Sequence, residues 1–291
     1  MKKILKISAV VLLLLIVFAA AHILYHSRDR NPGYTLDITL SPDLSQPATE
    51  IQVGLAKAAI TPEYLETWVD ADSNARYEPK KGDAYEDANS NGKFDAVWLA
   101  GFQSNRPAQG VHDDIWARAI LWDDGQTRVA LVSLDAIGFF HDDVIDVRTE
   151  AENLYPDIDH IIISSTHNHE VPDLMGLWGA SVLKSGVNKD YMKFVKKQTL
   201  AAIGEAWKNK RPAHIQVARI DSVGRDLIDD SRPPQVFDDV IRMMRFTDAE
   251  NGAILGTMLN YGNHPETLGS DNLQITADFC HYFLDGIESG I

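Results

Sequence analysis

The feature that most constrains this chain is an apolar run near its N-terminus. Lys2, Lys3 and Lys6 precede a stretch from Ile7 to Tyr25 that only Ser8 and His22 interrupt. A segment of that length and composition does not join a water-soluble core. It reads as an export signal, and it is nearly long enough to span a bilayer. Ala19-Ala20-Ala21 offers a small-residue cleavage site, but the run continues through Ile23, Leu24 and Tyr25, which fits a retained anchor better. The flanking Arg28 and Arg30 leave the orientation open. With no cysteine directly following the run, lipoprotein anchoring is excluded. The remainder is therefore expected on the periplasmic or extracellular face, tied to the membrane through residues 1–26.

Residues 27–50 are polar, carry Pro32, Pro42 and Pro47, and read as a linker. The globular part spans 51–291. Formal net charge is −15, from 42 acidic and 27 basic residues, and such a surface repels nucleic acid. The lone cysteine, Cys280, rules out an internal disulfide and a thiolate cluster and reads as a small buried hydrophobe. A transition-metal site must then use histidine and carboxylate.

Strand-like runs occupy 51–60, 116–122, 128–134, 160–164, 213–220, 241–246 and 254–261. Asp123-Asp124-Gly125 and Asn251-Gly252 supply hairpin turns. Helices are expected over 141–154 and 189–209. In the second, Tyr191, Phe194, Val195, Leu200, Ile203 and Trp207 lie near helical spacing and form a core stripe. The segments 128–134, 141–154 and 160–164 resemble a βαβ unit. The expected class is α/β to α+β: a mixed β-sheet core flanked by helices.

Two of these runs end in histidine-bearing polar loops. Ile161 to Ser164 leads into Thr166-His167-Asn168-His169-Glu170, and Ile254 to Leu259 leads into Tyr261-Gly262-Asn263-His264-Pro265-Glu266. In extended backbone, residues two apart face the same side, so His167 and His169 would converge. Strand ends of one sheet can lie side by side, which lets His264 join them. Zinc accepts neutral imidazoles, and a catalytic zinc keeps one position open. His112, in Gly110-Val111-His112-Asp113, sits at a strand start and reads as a loop histidine. Carboxylates available to complete coordination are Asp135, Glu170, Asp173, Glu266 and Asp278; spacing does not choose among them.

Asp87-Ala88-Asn89-Ser90-Asn91-Gly92-Lys93-Phe94-Asp95 follows the first nine positions of a calcium loop. Oxygen donors fall at Asp87, Asn89, Asn91 and Asp95, with Gly92 at the sharp turn. Trp98 stands where the bidentate glutamate belongs. Asp70, Asp72, Asn74 and Glu78 echo the spacing, and Asp83 is close by in sequence.

Taken in order, Gly110-Val111-His112-Asp113 with Ala117-Arg118-Ala119, Val132-Ser133-Leu134-Asp135, Thr166-His167-Asn168-His169 and Asn263-His264-Pro265 resemble the N-terminal catalytic part of the neutral/alkaline, non-lysosomal ceramidases. The resemblance runs from about Ile51 to the end. It implies a zinc amidase that splits the N-acyl bond of ceramide-like lipids into fatty acid and sphingoid base. It implies His167 and His264 as zinc ligands, His169 beside the metal in contact with substrate or oxyanion and the candidate for proton transfer, His112 lining the site, and Arg225 as a loose match to a family arginine. The family's Thr-His-Thr-His-Ser-Gly-Pro is here Thr-His-Asn-His-Glu-Val-Pro. Its other ligands, a glutamate and a tyrosine, lie further downstream than the matched segment. The expectation is thus a catalytic part incomplete at its C-terminus, with weak activity or none. A zinc hydrolase of another amide or ester, and an inactive calcium-stabilised module at the membrane, are the rival readings.

Overall fold

The computed structural model describes residues 2–38 and 50–289; positions 39–49 of the expected linker 27–50, the first residue and the last two lie outside the described residues. The chain divides into two compact units, Met1–Leu40 and Ser41–Ile291. The first holds α1 (Lys2–His26), whose stretch Lys6–Tyr25 has mean hydropathy 2.8 and is long and apolar enough to cross a membrane.

The second unit begins with β1 (Gln52–Ala59) and passes through three two-residue strands, β2 (Trp68–Val69), β3 (Ala84–Tyr85) and β4 (Gly110–Val111). The hairpin β5 (Trp116–Asp123) and β6 (Arg128–Leu134) follows, then α2 (His141–Leu154), β7 (His160–Ser165) and α3 (Lys189–Asn209). The chain continues with β8 (Arg211–Ile220), β9 (Ile241–Asp248), β10 (Ile254–Asn260), β11 (Gln274–Ile275) and α4 (Phe279–Ser289).

Seven strands form one mixed sheet in the order β10-β9-β8-β1-β5-β6-β7. Within this sheet only the pair β6 and β7 runs parallel, with α2 as their crossover, so the expected βαβ unit is present. The expected turns hold as well: Gly125 and Gly252 both take positive φ, 84° and 74°, where a side chain would be strained. β1 meets β8 through only two residue pairs, Gln52 with Pro212 and Val53 with Arg211. The sheet therefore splays at that seam.

Strand alternation assigns the faces. Gly54, Ala56 and Ala58 of β1 turn towards α3, which lies across β1, β5 and β6. A Cβ on Gly54 would sit 1.8 Å from the carbonyl oxygen of Ala206, and one on Gly204 would sit 1.9 Å from the hydroxyl of Tyr155. The helix approaches closely because these positions lack side chains. Asn188 caps it, its side chain accepting from the amides of Asp190 and Tyr191 at 2.9 and 3.1 Å. The opposite face carries Val53, Ala213 and Phe246, with Leu55, Ile120 and Trp122 packed on them.

This places the ends of β6 and β7 against a set of loops that sequence periodicity does not reveal. β11 pairs parallel with β4, and α4 follows at once. Cys280, near the start of α4, is a free thiol whose pKa burial pushes up to about 12, with Asp135 and Asp278 acting in the same direction. The thiol therefore stays protonated at neutral pH, though the side chain is half-buried and not the fully buried hydrophobe expected. Gly54→Ala is predicted to cost about 3 kcal/mol through overpacking against main chain. A melting curve should show a fall of roughly 6–12 °C.

Candidate metal centre

The site begins where β7 stops. The amide of Thr166 donates to the carbonyl of Leu134, and those of His167 and Asn168 both donate to Ala136, so the chain wraps around the end of β6. His167 takes φ +64°. The expected extended path from His167 to His169 is therefore broken. Their convergence comes from a left-handed turn, not from strand alternation. A non-glycine residue in that region stores about 1–3 kcal/mol and persists only where the surroundings enforce it.

His169 is enforced from several sides. Its amide donates to the carbonyl of Pro265 at 3.1 Å, joining the loop after β7 to the loop that carries His264. Asn168 is fully buried; its amide side chain donates to Thr276 O at 2.7 Å and accepts from Glu170 N at 2.9 Å. Gly101 lies against the imidazole: a Cβ there would fall 2.6 Å from His169 Cβ, and its φ is +107°. Phe102 meets the ring edge-on, with centroids 5.2 Å apart.

Behind this wall lies Arg106, which has no solvent exposure. Its guanidinium donates to the carbonyls of Ala100 and His169 (2.7 Å to the latter), to Asn272 O at 3.1 Å, and to the Glu170 carboxylate at 3.1 Å. Glu170 also accepts from Asn272 Nδ2 at 2.8 Å. Burial pushes the Glu170 carboxyl up to about 7, against the pull of Arg106 and the Asn272 bond. Glu170 is completely enclosed, and its carboxylate turns to Arg106 and Asn272 instead of joining the imidazole group. Nothing local in the sequence marks Arg106 as buried.

The three imidazoles of His167, His169 and His264 converge, each offering a nitrogen, with those atoms within 4.8 Å of one another. The His167 and His264 rings stack at 4.8 Å, and His169 stands edge-on to both. Nδ1 of His167 lies 2.6 Å from Ile137 O, and Nδ1 of His264 lies 2.8 Å from Glu266 Oε1. Both ring nitrogens of His169 are buried without a hydrogen-bond partner. Burial first, then the neighbouring His264, pulls its pKa down to about 4, so it is an unprotonated donor at neutral pH. Orphaned buried nitrogens, joined by two further imidazoles, fit a metal; a catalytic zinc takes three protein ligands and leaves one position open.

The remaining expected residues fall elsewhere. His112 lies outside this imidazole group. It bonds to Asp113 at 2.8 Å, and Tyr282 lies 3.4 Å from its other nitrogen. Asp113 in turn accepts from the Thr276 hydroxyl and the Ala277 amide, which links His112 to the residue that holds Asn168. Arg225 stacks on Phe237 at 3.5 Å and lies 3.9 Å from the Asp239 carboxylate. Its segment touches the His264 loop through the Tyr261 hydroxyl, which donates to Val223 O at 3.1 Å. Asp135 pairs with Arg118, Asp173 caps the turn at Met175 and Gly176, and Asp278 holds Thr267. Of the carboxylates open by spacing, Glu266 is the one within 4 Å of the clustered imidazoles.

In the acidic stretch, Asp87 accepts from the amides of Asn91 and Gly92, while Asn89 and Asn91 donate to Asp95 at 2.7 Å each. The echoing segment brings Asp70, Asp72 and Asp83 together, with carboxylate oxygens within 4.8 Å. The ring of Tyr77 lies 4.6 Å from that of Phe94, packing the two loops on one another.

No known family's sequence profile matches the chain, and no curated protein matches it by sequence. Solved structures do match. Neutral ceramidase from Pseudomonas aeruginosa superposes with a TM-score of 0.58 at 19% identity, over 80% of this chain and 35% of that one. The fold is that of neutral ceramidase. A ceramidase complexed with C2 agrees, with a TM-score of 0.57 at 19% identity, over 79% of this chain and 34% of that one. The chain thus spans about a third of the length of the ceramidases it matches.

The Arg106–Glu170 pair carries a stability prediction. Arg106→Met should cost about 3–5 kcal/mol in urea unfolding, because it strands a buried carboxylate. Adding Glu170→Leu should restore most of that loss. Equal stability of the single and double variants would contradict the pairing.

Proposed function

We propose that this chain is a zinc-dependent hydrolase of the N-acyl amide bond in ceramide-like lipids. The carrying observation is the convergence of three imidazoles at the strand ends of a sheet with the neutral ceramidase fold. His167, His169 and His264 would hold the ion. A zinc bound there would lower the pKa of a bound water to about 7 and would polarise the amide carbonyl. The chain's own residues do the rest. Burial keeps His169 unprotonated, and Gly101 and Phe102 close its flank to water. His167 and His264 stay exposed, so substrate approaches from their side.

We place the domain outside the cytoplasm and assign α1 as its membrane tether. A lipid substrate is then in the same layer as the enzyme. We assign the two acidic loops to calcium, with Asp87, Asn89, Asn91 and Asp95 in one and Asp70, Asp72 and Asp83 in the other. Their role is structural.

Metal analysis tests the centre. His167→Ala and His264→Ala should each lose zinc and ceramide hydrolysis together; zinc kept at the wild-type level in both contradicts the reading. His169→Ala separates two roles for one ring. Loss of zinc makes it the third ligand, while full zinc with lost turnover makes it the proton-transfer group implied by the resemblance. Faster cleavage of N-acyl amino acids than of ceramide would move the substrate class. Calcium at ten to a hundred times its Kd should stabilise the domain by about 1.4–2.7 kcal/mol. An unchanged melting temperature in millimolar calcium argues against the loop assignment.

A further inference from the structure

A metal-binding imidazole has one nitrogen on the ion, and whatever accepts the other N–H fixes which nitrogen that is. In this cluster the acceptors differ. For His167 it is main chain, the carbonyl of Ile137 at 2.6 Å from Nδ1. For His264 it is a side chain, Oε1 of Glu266 at 2.8 Å from Nδ1. The second oxygen of the same carboxylate lies 3.5 Å from Nδ1 of His169, within ion-pair range though outside hydrogen bonding. The loop is built to hold it there. The amide of Glu266 donates to the carbonyl of His264 at 3.0 Å, and the carbonyl between them, Pro265 O, accepts from His169 N.

We propose that Glu266 is a positioning residue of the metal centre: its carboxylate orients His264, and beside it His169, so that their Nε2 atoms face the ion. This rests on the metal reading above and extends it to a residue outside the ligand set. One carboxylate serves two imidazoles from separate strands, which ties ligand geometry to the loop joining β10 to β11. The side chain of Glu266 is 44% exposed, so it contributes little to folding. Its loss should appear in metal binding and not in the melting of the metal-free protein.

The test uses the full chain in detergent micelles, with zinc titrated against a chromophoric chelator and cobalt(II) as a spectroscopic substitute. Glu266→Ala should weaken zinc binding by about 10–100-fold and alter the cobalt d–d bands, with metal-free melting unchanged. Glu266→Gln should recover part of the affinity, because its amide oxygen still accepts from Nδ1–H. Wild-type affinity and an unchanged cobalt spectrum in Glu266→Ala, in a protein where His264→Ala abolishes binding, overturn the inference alone. A wild-type chain that binds no zinc overturns the metal reading and this inference together.

Discussion

A guanidinium sealed from solvent holds together the loops around the imidazoles. Arg106 reaches the carbonyls of Ala100, His169 and Asn272 and the carboxylate of Glu170, so three chain segments share one set of donors. Those carbonyls sit in loops with no strand neighbour to satisfy them. Left unmade, each such bond would cost about 1–3 kcal/mol. The charge is tolerable because Glu170 balances it, and the pair makes sense as a device for geometry more than for net stability. With His169's carbonyl fixed behind and Gly101 against its ring, the imidazole has little room to turn.

The sheet supplies the other half of the constraint. β6 and β7 end side by side, and the carbonyls of Leu134 and Ala136 capture the amides that follow β7. That capture forces His167 into a left-handed conformation and aims its ring towards His264. Strain at such a point is common where a side chain must face a ligand. His264 arrives from the opposite half of the sheet, beyond the splayed seam between β1 and β8. The Pro265 carbonyl then locks the two loops in register.

Much of this was legible in the sequence, for reasons that can be named. β5, β6 and α3 carry the clearest periodic patterns, with Asp124-Gly125 turning between the two strands and Asn188 capping the helix. The histidines after two strands are readable as one site, but the strands are not neighbours as expected: β7 and β10 are opposite edges of the sheet, and the loops that follow them meet through the bond from His169 N to Pro265 O. The two-residue strands β2, β3, β4 and β11 have no period to read. α4 was missed although Phe279, Tyr282, Phe283 and Ile287 carry helical spacing behind Asp278. Arg106 was invisible, since an arginine in a polar loop usually reads as solvated. By spacing Glu170 is one of five carboxylates open to the site, and only tertiary structure shows that it turns inward. His169 was read as extended from His167, and the right neighbours emerged from the wrong backbone path.

The central claim is that three imidazoles from two separate strand ends form one metal centre. X-ray absorption at the zinc edge of the zinc-loaded full chain tests it most directly. The account predicts a first shell with three imidazole nitrogens at about 2.0–2.1 Å, recognised by the outer-shell scattering of their rings, and one exchangeable oxygen ligand. A shell of oxygen alone, or with a single imidazole, would contradict it.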